Sequence, residues 1–188
     1  MTREALARAK TMKRSSKFYA DPHIAVSERA ELREYARSGY DRGHVAPSAD
    51  MPDQRSQQEC FSLANMVPQV PQNNRGPWEG IEATVRMMAK ERGELYVVTG
   101  PIFRGDNLQR IGGAVMVPTQ LFKAVYDPKR HEAGAYLIDN AENATARKIT
   151  IAELELITGI NLSPSIDAQI KGKGMLLPDP KSYKERRR

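Results

Sequence analysis

The sequence contains the tetrapeptide Asp41-Arg42-Gly43-His44 and, further along, the segment Asn74-Arg75-Gly76-Pro77-Trp78-Glu79-Gly80-Ile81-Glu82. Pro77 suits the first turn of a helix, because its missing N–H would have no helical partner there. Beyond it, apolar residues recur at spacings of three and four, at Trp78, Ile81, Val85 and Met88. The spacing predicts a helix from Pro77 to about Arg92, ended by Gly93, with one buried apolar stripe.

Strand-like segments fill the second half of the chain. We predict strands at residues 95–99, 114–118, 121–126 and 135–138, where β-branched and aromatic residues cluster. Gly100-Pro101 is expected to end the first strand, and residues 149–156 fit either a strand or a helix. The pattern predicts an α+β fold with a largely antiparallel central sheet and packed helices.

The first half of the chain is less regular. Ser27 fits the N-cap of a helix that continues to about Arg37. Residues 45–60 are polar and contain two prolines, so we interpret them as a long loop. Residues 1–14 and 181–188 are expected to be basic, flexible ends. For residues 1–14, a surface helix or the remnant of a targeting segment is the alternative, because either would have the same composition.

Length and charge restrict the class of protein. With 188 residues the chain has the size of one compact domain, so we expect a single domain over residues 1–188. The net charge of +6 favours a polyanionic partner, nucleic acid first and an anionic membrane surface second. No apolar stretch approaches the roughly 20 residues that a membrane helix needs, and we expect no membrane partner.

Cysteine and histidine usage excludes some kinds of site. The single cysteine, Cys60, allows neither an intramolecular disulfide nor a zinc site built from thiolates, and its apolar neighbours indicate a buried structural thiol. The three histidines are too scattered for a His-x-x-x-His metal site. His44 is a candidate general base, because an imidazole with a pKa near 6.5 can accept a proton from water at neutral pH. A structural histidine is the alternative.

Several polar residues around the predicted helix have both a functional and an ordinary interpretation. Glu82 and Arg86 lie four residues apart on one flank of the apolar stripe, so they can face a common cleft. An exposed helical ion pair, worth about 0.3–0.5 kcal/mol, is the alternative for them. Asn74 taken alone would be a helix cap, and Asn65 taken alone would be a turn residue.

Taken together, these residues resemble the DNA/RNA non-specific endonucleases, a ββα-metal family that includes secreted bacterial nucleases and mitochondrial endonuclease G. Three blocks carry the resemblance, at residues 41–44, 63–69 and 74–86. A looser likeness continues through residues 97–103, 117–118, 122–123 and 158–160, so that it covers about residues 15 to 165. The resemblance implies the ββα-metal nuclease fold.

The resemblance also implies a role for each matching residue. His44 would be the general base that activates a water, and Asn74 the only direct protein ligand to Mg²⁺, for which Mn²⁺ may substitute. Asn73 stands beside Asn74 and is the alternative ligand. Glu82 would be the carboxylate that holds the water shell of the metal, and Arg42 and Arg86 would bind the phosphate. Asn65 would be an active-site amide, and Asp41 an orienting carboxylate.

The implied activity is endonucleolytic cleavage of single- and double-stranded DNA and RNA, leaving 5′-phosphates. Two alternatives remain open: a nucleic-acid-binding module that does not cut, and a phosphodiesterase for a small substrate. Arg55, Arg75 and Lys123 could bind backbone phosphates or simply be solvated surface residues. A homodimer and a protein inhibitor are further expected partners. Secretion or a periplasmic location is expected first, with a mitochondrial protein or a delivered effector as alternatives.

Overall fold

The computed structural model describes residues 1–14 and 17–181. Its strands are β1 (Asp41–His44), β2 (Met66–Gln69), β3 (Tyr96–Ile102), β4 (Arg110–Ile111), β5 (Val115–Met116), β6 (Gln120–Asp127), β7 (Glu132–Asp139) and β8 (Arg147–Ile149). Four of them form an antiparallel sheet in the order β3-β6-β7-β8. β1 pairs with β2, and β4 with β5, in two small antiparallel sheets.

The helices flank these sheets. They are α1 (Arg3–Ala9), α2 (Leu32–Tyr35), α3 (Gln54–Glu59), α4 (Pro71–Asn73), α5 (Glu79–Arg92), α6 (Ile151–Thr158) and α7 (Ala168–Lys173). A π-helical turn, Asn74–Trp78, joins α4 to α5. Within the described parts of the chain, no helix is long and apolar enough to cross a membrane. The predicted α+β class with an antiparallel central sheet is confirmed.

Both faces of β6, an inner strand of the central sheet, are buried. Along β6, Leu121 and Val125 face one way and pack in one core with the apolar stripe of α5. Phe122 and Ala124 face the other way and pack in a second core with α6. Two-sided burial explains why the sequence of this strand is a nearly continuous apolar run rather than an alternating one.

The predicted long helix is confirmed in its essentials. Its apolar stripe, formed by Trp78, Ile81, Val85 and Met88, is buried at every position. Gly93 ends the helix with a positive φ of 94°, a conformation that glycine adopts without steric cost. The start differs from the prediction, because residues 74–78 form the π-helical turn and the regular helix begins only at Glu79.

The β1–β2 pair requires a glycine at its centre. Gly43 lies opposite Val67 in the ladder, and a Cβ at Gly43 would overlap the side chain of the buried Gln69. Only glycine therefore lets β1 approach β2 this closely. The close approach sets the direction in which Arg42 and His44, the neighbours of Gly43, leave the strand.

The N-terminal segment differs from the predicted flexible end. α1 is capped by Thr2, whose hydroxyl accepts a hydrogen bond from the Ala5 N–H, and it buries Leu6. The amino group of Met1 donates to the Leu95 carbonyl at 2.8 Å. The prediction of a flexible end is therefore wrong for residues 1–9, because apolar residues of α1 complete the core around α5. Residues 182–188 of the other expected end lie outside the described residues.

Three other local predictions are wrong. The helix expected from Ser27 is shortened to α2, which is capped by Glu31 through a capping box with Glu34. The expected loop at residues 45–60 contains a 3₁₀ turn, Ser48–Asp50, and the helix α3. β3 continues through Gly100-Pro101 instead of ending there. This strand lies at the edge of the sheet and pairs only with β6, so a proline, which has no N–H, is tolerated in it. The ambiguous residues 149–156 form mainly α6.

Candidate active site

One cleft of about 500 Å³ collects most of the predicted site residues. β1 contributes to one wall, and the π-helical turn with the first turns of α5 contributes to the other. The side chains lining it include Arg14, Phe18, Asp41, Arg42, His44, Asn74, Arg75, Glu79, Glu82 and Arg86. Elements that are separate in sequence thus bring an imidazole, an amide, carboxylates and guanidinium groups to one surface.

His44 is held at the end of β1 by aromatic side chains. Its ring packs edge-on against Phe61, with centroids 4.9 Å apart, and lies 5.9 Å from the ring of Phe18. The Nε2 atom is buried, and no described residue forms a hydrogen bond with it. Burial, assisted by the charge of Arg14, lowers the pKa of His44 to about 4. The imidazole is therefore neutral near pH 7, which is the state that can accept a proton.

Asn74 is oriented by Asp41. The Nδ2 group of Asn74 donates to Oδ2 of Asp41 at 2.9 Å, so the opposite, carbonyl side of the amide is left for other partners. Arg75 donates two hydrogen bonds to the same carboxylate, at 2.8 and 2.6 Å, and fixes it in turn. An amide with its N–H₂ group occupied presents an oxygen, the atom that binds a hard cation.

The neighbouring Asn73 points elsewhere. It is fully buried, and its Nδ2 group donates to the Asp139 carbonyl at the end of β7, at 2.6 Å. Asn140 strengthens this attachment, because its side chain accepts the Val70 N–H and donates to the Pro68 carbonyl. Asn73 thus anchors the segment to the central sheet, whereas Asn74 lines the cleft.

A buried charged network extends from the cleft, where Glu82 and Arg86 belong to the lining, into the protein. Arg86 donates to Asp50 at 3.1 Å and lies 4.0 Å from Glu82. Lys123, only 2% exposed, donates to the Thr99 hydroxyl at 2.6 Å and lies 5.4 Å above the Trp78 ring. The expected alternative of an exposed Glu82–Arg86 pair is therefore wrong, since both side chains are largely buried.

The network shifts the ionisation of Glu82. Desolvation raises the pKa of Glu82 to about 7, and the positive charges of Lys123 and Arg86 oppose that rise. The pKa of Asp50 is also raised by burial, against the opposing charge of Arg86. A carboxyl group that is poised near neutrality and lines a cleft is typical of functional sites.

The cleft suits a single hydrated divalent cation. In the described parts of the chain, no group of three or more His, Cys, Asp or Glu side chains is arranged to hold a metal. Most of the donors that line the cleft are oxygen atoms, among them those of the oriented Asn74 amide and the Glu82 carboxyl, and His44 adds an imidazole. Mg²⁺ prefers oxygen ligands and commonly keeps several waters, so a site with few protein ligands fits this ion.

Asn65 differs from the other predicted site residues. Its Oδ1 atom accepts the Ala46 N–H at 2.9 Å, while its Nδ2 group donates to the carbonyls of Ala46 and Cys60. It does not contribute to the lining of the cleft. Both ends of its amide bind backbone groups, so Asn65 holds the chain just after His44 in place.

The three basic residues with no assigned role, Arg55, Arg75 and Lys123, have three different environments. Arg75 lies at the cleft rim, paired with Asp41 and 72% exposed. Arg55 forms an exposed ion pair with Glu59 and does not line the cleft. Lys123 is neither solvated nor available to a polymer, so both interpretations offered for it are wrong.

Sequence reasoning missed several residues of the site. Asp50 belonged to the segment interpreted as a loop, Arg14 to the expected basic end, and Phe18 to a segment without an expected role in the site. Arg42 lies 4.2 Å from the centroid of the Phe18 ring, so an aromatic residue distant in sequence supports this arginine. A polar residue inside a strand-like run was the available signal for Lys123, because such a residue must find buried partners.

Comparisons with known proteins agree with this geometry. The family model of the DNA/RNA non-specific endonucleases matches residues 1–169. Nuclease C1 of Cunninghamella echinulata var. echinulata is 31% identical, over 84% of this chain and 70% of that protein. The mitochondrial nuclease of Saccharomyces cerevisiae is 33% identical, over 86% of this chain and 57% of that protein. A nuclease of Syncephalastrum racemosum is 43% identical, over 75% of this chain and 51% of that protein.

The fold is similar to that of a solved nuclease. EndoG, in a crystal structure of the EndoG/EndoGI complex, superposes with a TM-score of 0.83 at 28% identity, over 90% of this chain and 78% of that one. The chain spans between about half and 70% of the length of the curated relatives described above. On the match across residues 1–169, the chain belongs to the DNA/RNA non-specific endonuclease family and has its α+β, ββα-metal fold.

Proposed function

We propose that this protein is a Mg²⁺-dependent endonuclease that hydrolyses phosphodiester bonds of DNA and RNA and leaves 5′-phosphates. The observation that carries the proposal is that His44 and the oriented amide of Asn74 line the same cleft as Arg42, Glu82 and Arg86. A proton acceptor, an oxygen ligand and two phosphate-binding groups on one surface are what phosphodiester hydrolysis requires.

His44 acts as the general base. Its neutral imidazole accepts a proton from the water that attacks phosphorus, and the P–O3′ bond breaks so that the 3′ oxygen leaves and is protonated by solvent. A pKa near 4 makes free His44 a weak proton acceptor. The negative charge of a bound phosphate raises this pKa, so the substrate itself strengthens the base.

Asn74 would bind the cation directly, Glu82 would hold the water shell of the cation, and the two arginines would bind the phosphate. When bound, Mg²⁺ offsets the negative charge that develops on the phosphoryl oxygens, and Mn²⁺ serves as a substitute. Arg86 is kept in the cleft by Asp50, and Arg42 is supported by the Phe18 ring. Because these groups are fixed before substrate binds, little reorganisation is needed during the reaction.

The substrate preference follows from the chemistry of the lining. Arg14, Arg42, Arg75 and Arg86 line the cleft, and contacts from arginine to phosphate oxygens carry no sequence information. We therefore propose cleavage of both DNA and RNA with little sequence preference. A homodimer, a protein inhibitor, and a mitochondrial, secreted or periplasmic location remain proposals. One curated relative is named a mitochondrial nuclease, and EndoG was solved in a complex with EndoGI.

The proposal is tested with supercoiled plasmid and with RNA, each incubated with Mg²⁺, with Mn²⁺ and with EDTA. Cutting of both substrates is expected with either metal and none with EDTA, and end-labelling should find 5′-phosphates. His44→Ala should reduce the rate by about two to four orders of magnitude while DNA binding persists. His23→Ala is the matched control, because His23 is exposed and outside the cleft. Near-normal cutting by His44→Ala would remove His44 from its role.

A further inference from the structure

A second groove, which we call the α1 groove, opens beside the active-site cleft. It has a volume of about 380 Å³, and α1, α5 and the turn Ser48–Asp50 all contribute to its lining. Arg14, Ala49 and Arg86 line both the α1 groove and the cleft, so the two depressions share a border. A chain-like ligand held in the cleft can therefore continue into the α1 groove.

The α1 groove is positively charged. Its basic side chains are Lys10, Arg14, Arg86 and Lys90, and no acidic side chain of the described residues lines it. Lys10 and Lys90 are exposed, and neither forms an ion pair with a described residue. Their charges are therefore available to an anionic ligand, in contrast to the charge of Lys123 in the buried network.

The basic residues follow a direction set by α5. Glu82, Arg86 and Lys90 are spaced by four residues on this helix, so each lies slightly more than one turn, or about 6 Å of axial rise, beyond the previous one. Glu82 lines the cleft, Arg86 lines both depressions, and Lys90 lines only the α1 groove. This row leads from the proposed cation site toward Lys10 at the end of α1.

We propose that the α1 groove is a binding site for the sugar-phosphate backbone of a nucleic-acid strand, where Lys10 and Lys90 contact phosphates next to the scissile one. The inference rests on the proposed function, because the cleft must hold the scissile phosphate. It adds a substrate requirement: a strand long enough to reach both depressions binds more tightly than a short one.

The shape of the site favours a nucleic-acid strand over an anionic membrane. The lysines line a concave groove that joins a phosphate-directed cleft, whereas a lipid surface needs an exposed, outward-facing patch. The buried Leu6 and Ala9 form an apolar part of the groove wall, which suits sugars and bases between the phosphates.

The test is the affinity of labelled single-stranded oligonucleotides in EDTA, measured by fluorescence anisotropy from 50 to 200 mM salt, with oligonucleotide integrity checked on gels. The test variant is Lys10→Glu/Lys90→Glu. Loss of two phosphate contacts on a single strand should make the negative slope of log affinity against log salt shallower by about 1.4. Binding of a 12-mer should weaken roughly 25-fold at 0.1 M salt. A 4-mer should lose much less affinity.

The matched control is Lys129→Glu/Lys173→Glu, which changes the net charge by the same amount at exposed positions outside the cleft and the α1 groove. It should keep the salt slope and most of the affinity. Lys10→Gln/Lys90→Gln is a milder second variant, and it should reduce the slope by the same amount if the contacts are direct. Thermal melts confirm that each variant is folded.

An unchanged salt slope in the test variant, or an equal loss of affinity in the control, would overturn the inference. Loss of binding to vesicles of anionic phospholipid with intact 12-mer binding would also overturn it, in favour of a membrane surface. Failure of the proposed function would look different, because the wild-type protein would then cut neither plasmid nor RNA with Mg²⁺.

Discussion

Glu82 should control how the affinity of the cleft for a divalent cation depends on pH. Burial raises the pKa of Glu82 from an ordinary 4.5 to about 7 in the metal-free protein. A carboxyl group supports a cation only when it is ionised. About a tenth of Glu82 is ionised at pH 6 and about nine tenths at pH 8, so the affinity for Mg²⁺ should rise about tenfold between these values. His44, with its pKa lowered to about 4, stays neutral throughout this window.

The assay is calorimetric titration of Mg²⁺ into the metal-free protein at pH 6, 7 and 8. Repeating the pH 6 titration in buffers of different ionisation enthalpy counts the protons released, and close to one proton per cation is expected. Glu82→Gln cannot ionise at this position, so its affinity should be weaker and nearly independent of pH. The reasoning is refuted if the wild-type affinity is the same at pH 6 and 8, or if Glu82→Gln keeps the wild-type slope.

Three further substitutions test the supports of the site. Asp41→Ala should weaken Mg²⁺ affinity by about 10- to 100-fold, because the amide of Asn74 loses its orienting carboxylate, and calorimetry measures this directly. Gly43→Ala should destabilise the fold by about 1–3 kcal/mol in chemical denaturation, because its methyl group would overlap the buried Gln69, whereas Gly172→Ala, with open space around it, should not. Lys123→Met removes a positive charge that lowers the pKa of Glu82, so the pH at which Mg²⁺ affinity is half-maximal should rise above about 7. A fall in that pH would contradict the proposed role of Lys123.

The long helix and the central strands were predictable, because their patterns are local. Trp78 and Ile81 mark a helical stripe that only a continuous helix can bury on one side. β6 was recognisable as a strand from its nearly continuous apolar run. The run is apolar because alternate residues of β6 pack in two different cores, one on each face of the strand. In these elements, burial and intrinsic preference favour the same structure.

The irregular first half was not predictable in detail, because distant contacts decide it. α1 is held by Leu95 and α5, so its sequence alone resembled a basic tail. No helix begins at Ser27, although serine is a favoured N-cap residue. α2 begins instead after Glu31, which forms a capping box with Glu34. Tertiary packing outweighs local propensity in short segments of this kind.

The site was predictable by residue type and only partly by location. The spacing of Asn74, Glu82 and Arg86 indicated one helical face, and all three line the cleft. The different orientations of Asn73 and Asn74 were not predictable, because they depend on the hydrogen bond that Asn73 donates to the Asp139 carbonyl. Asn65 lies in one of the three blocks that match the family, yet its amide forms hydrogen bonds with backbone groups.

The most direct measurement is the anomalous scattering of Mn²⁺ in crystals of this protein soaked with the ion. We predict one strong peak within about 2–2.5 Å of Asn74 Oδ1, in the cleft that His44 lines, with no other protein atom as close. A peak bound by Asn73 or by a different group of side chains, or a cleft that stays without a peak at saturating Mn²⁺, would contradict the account.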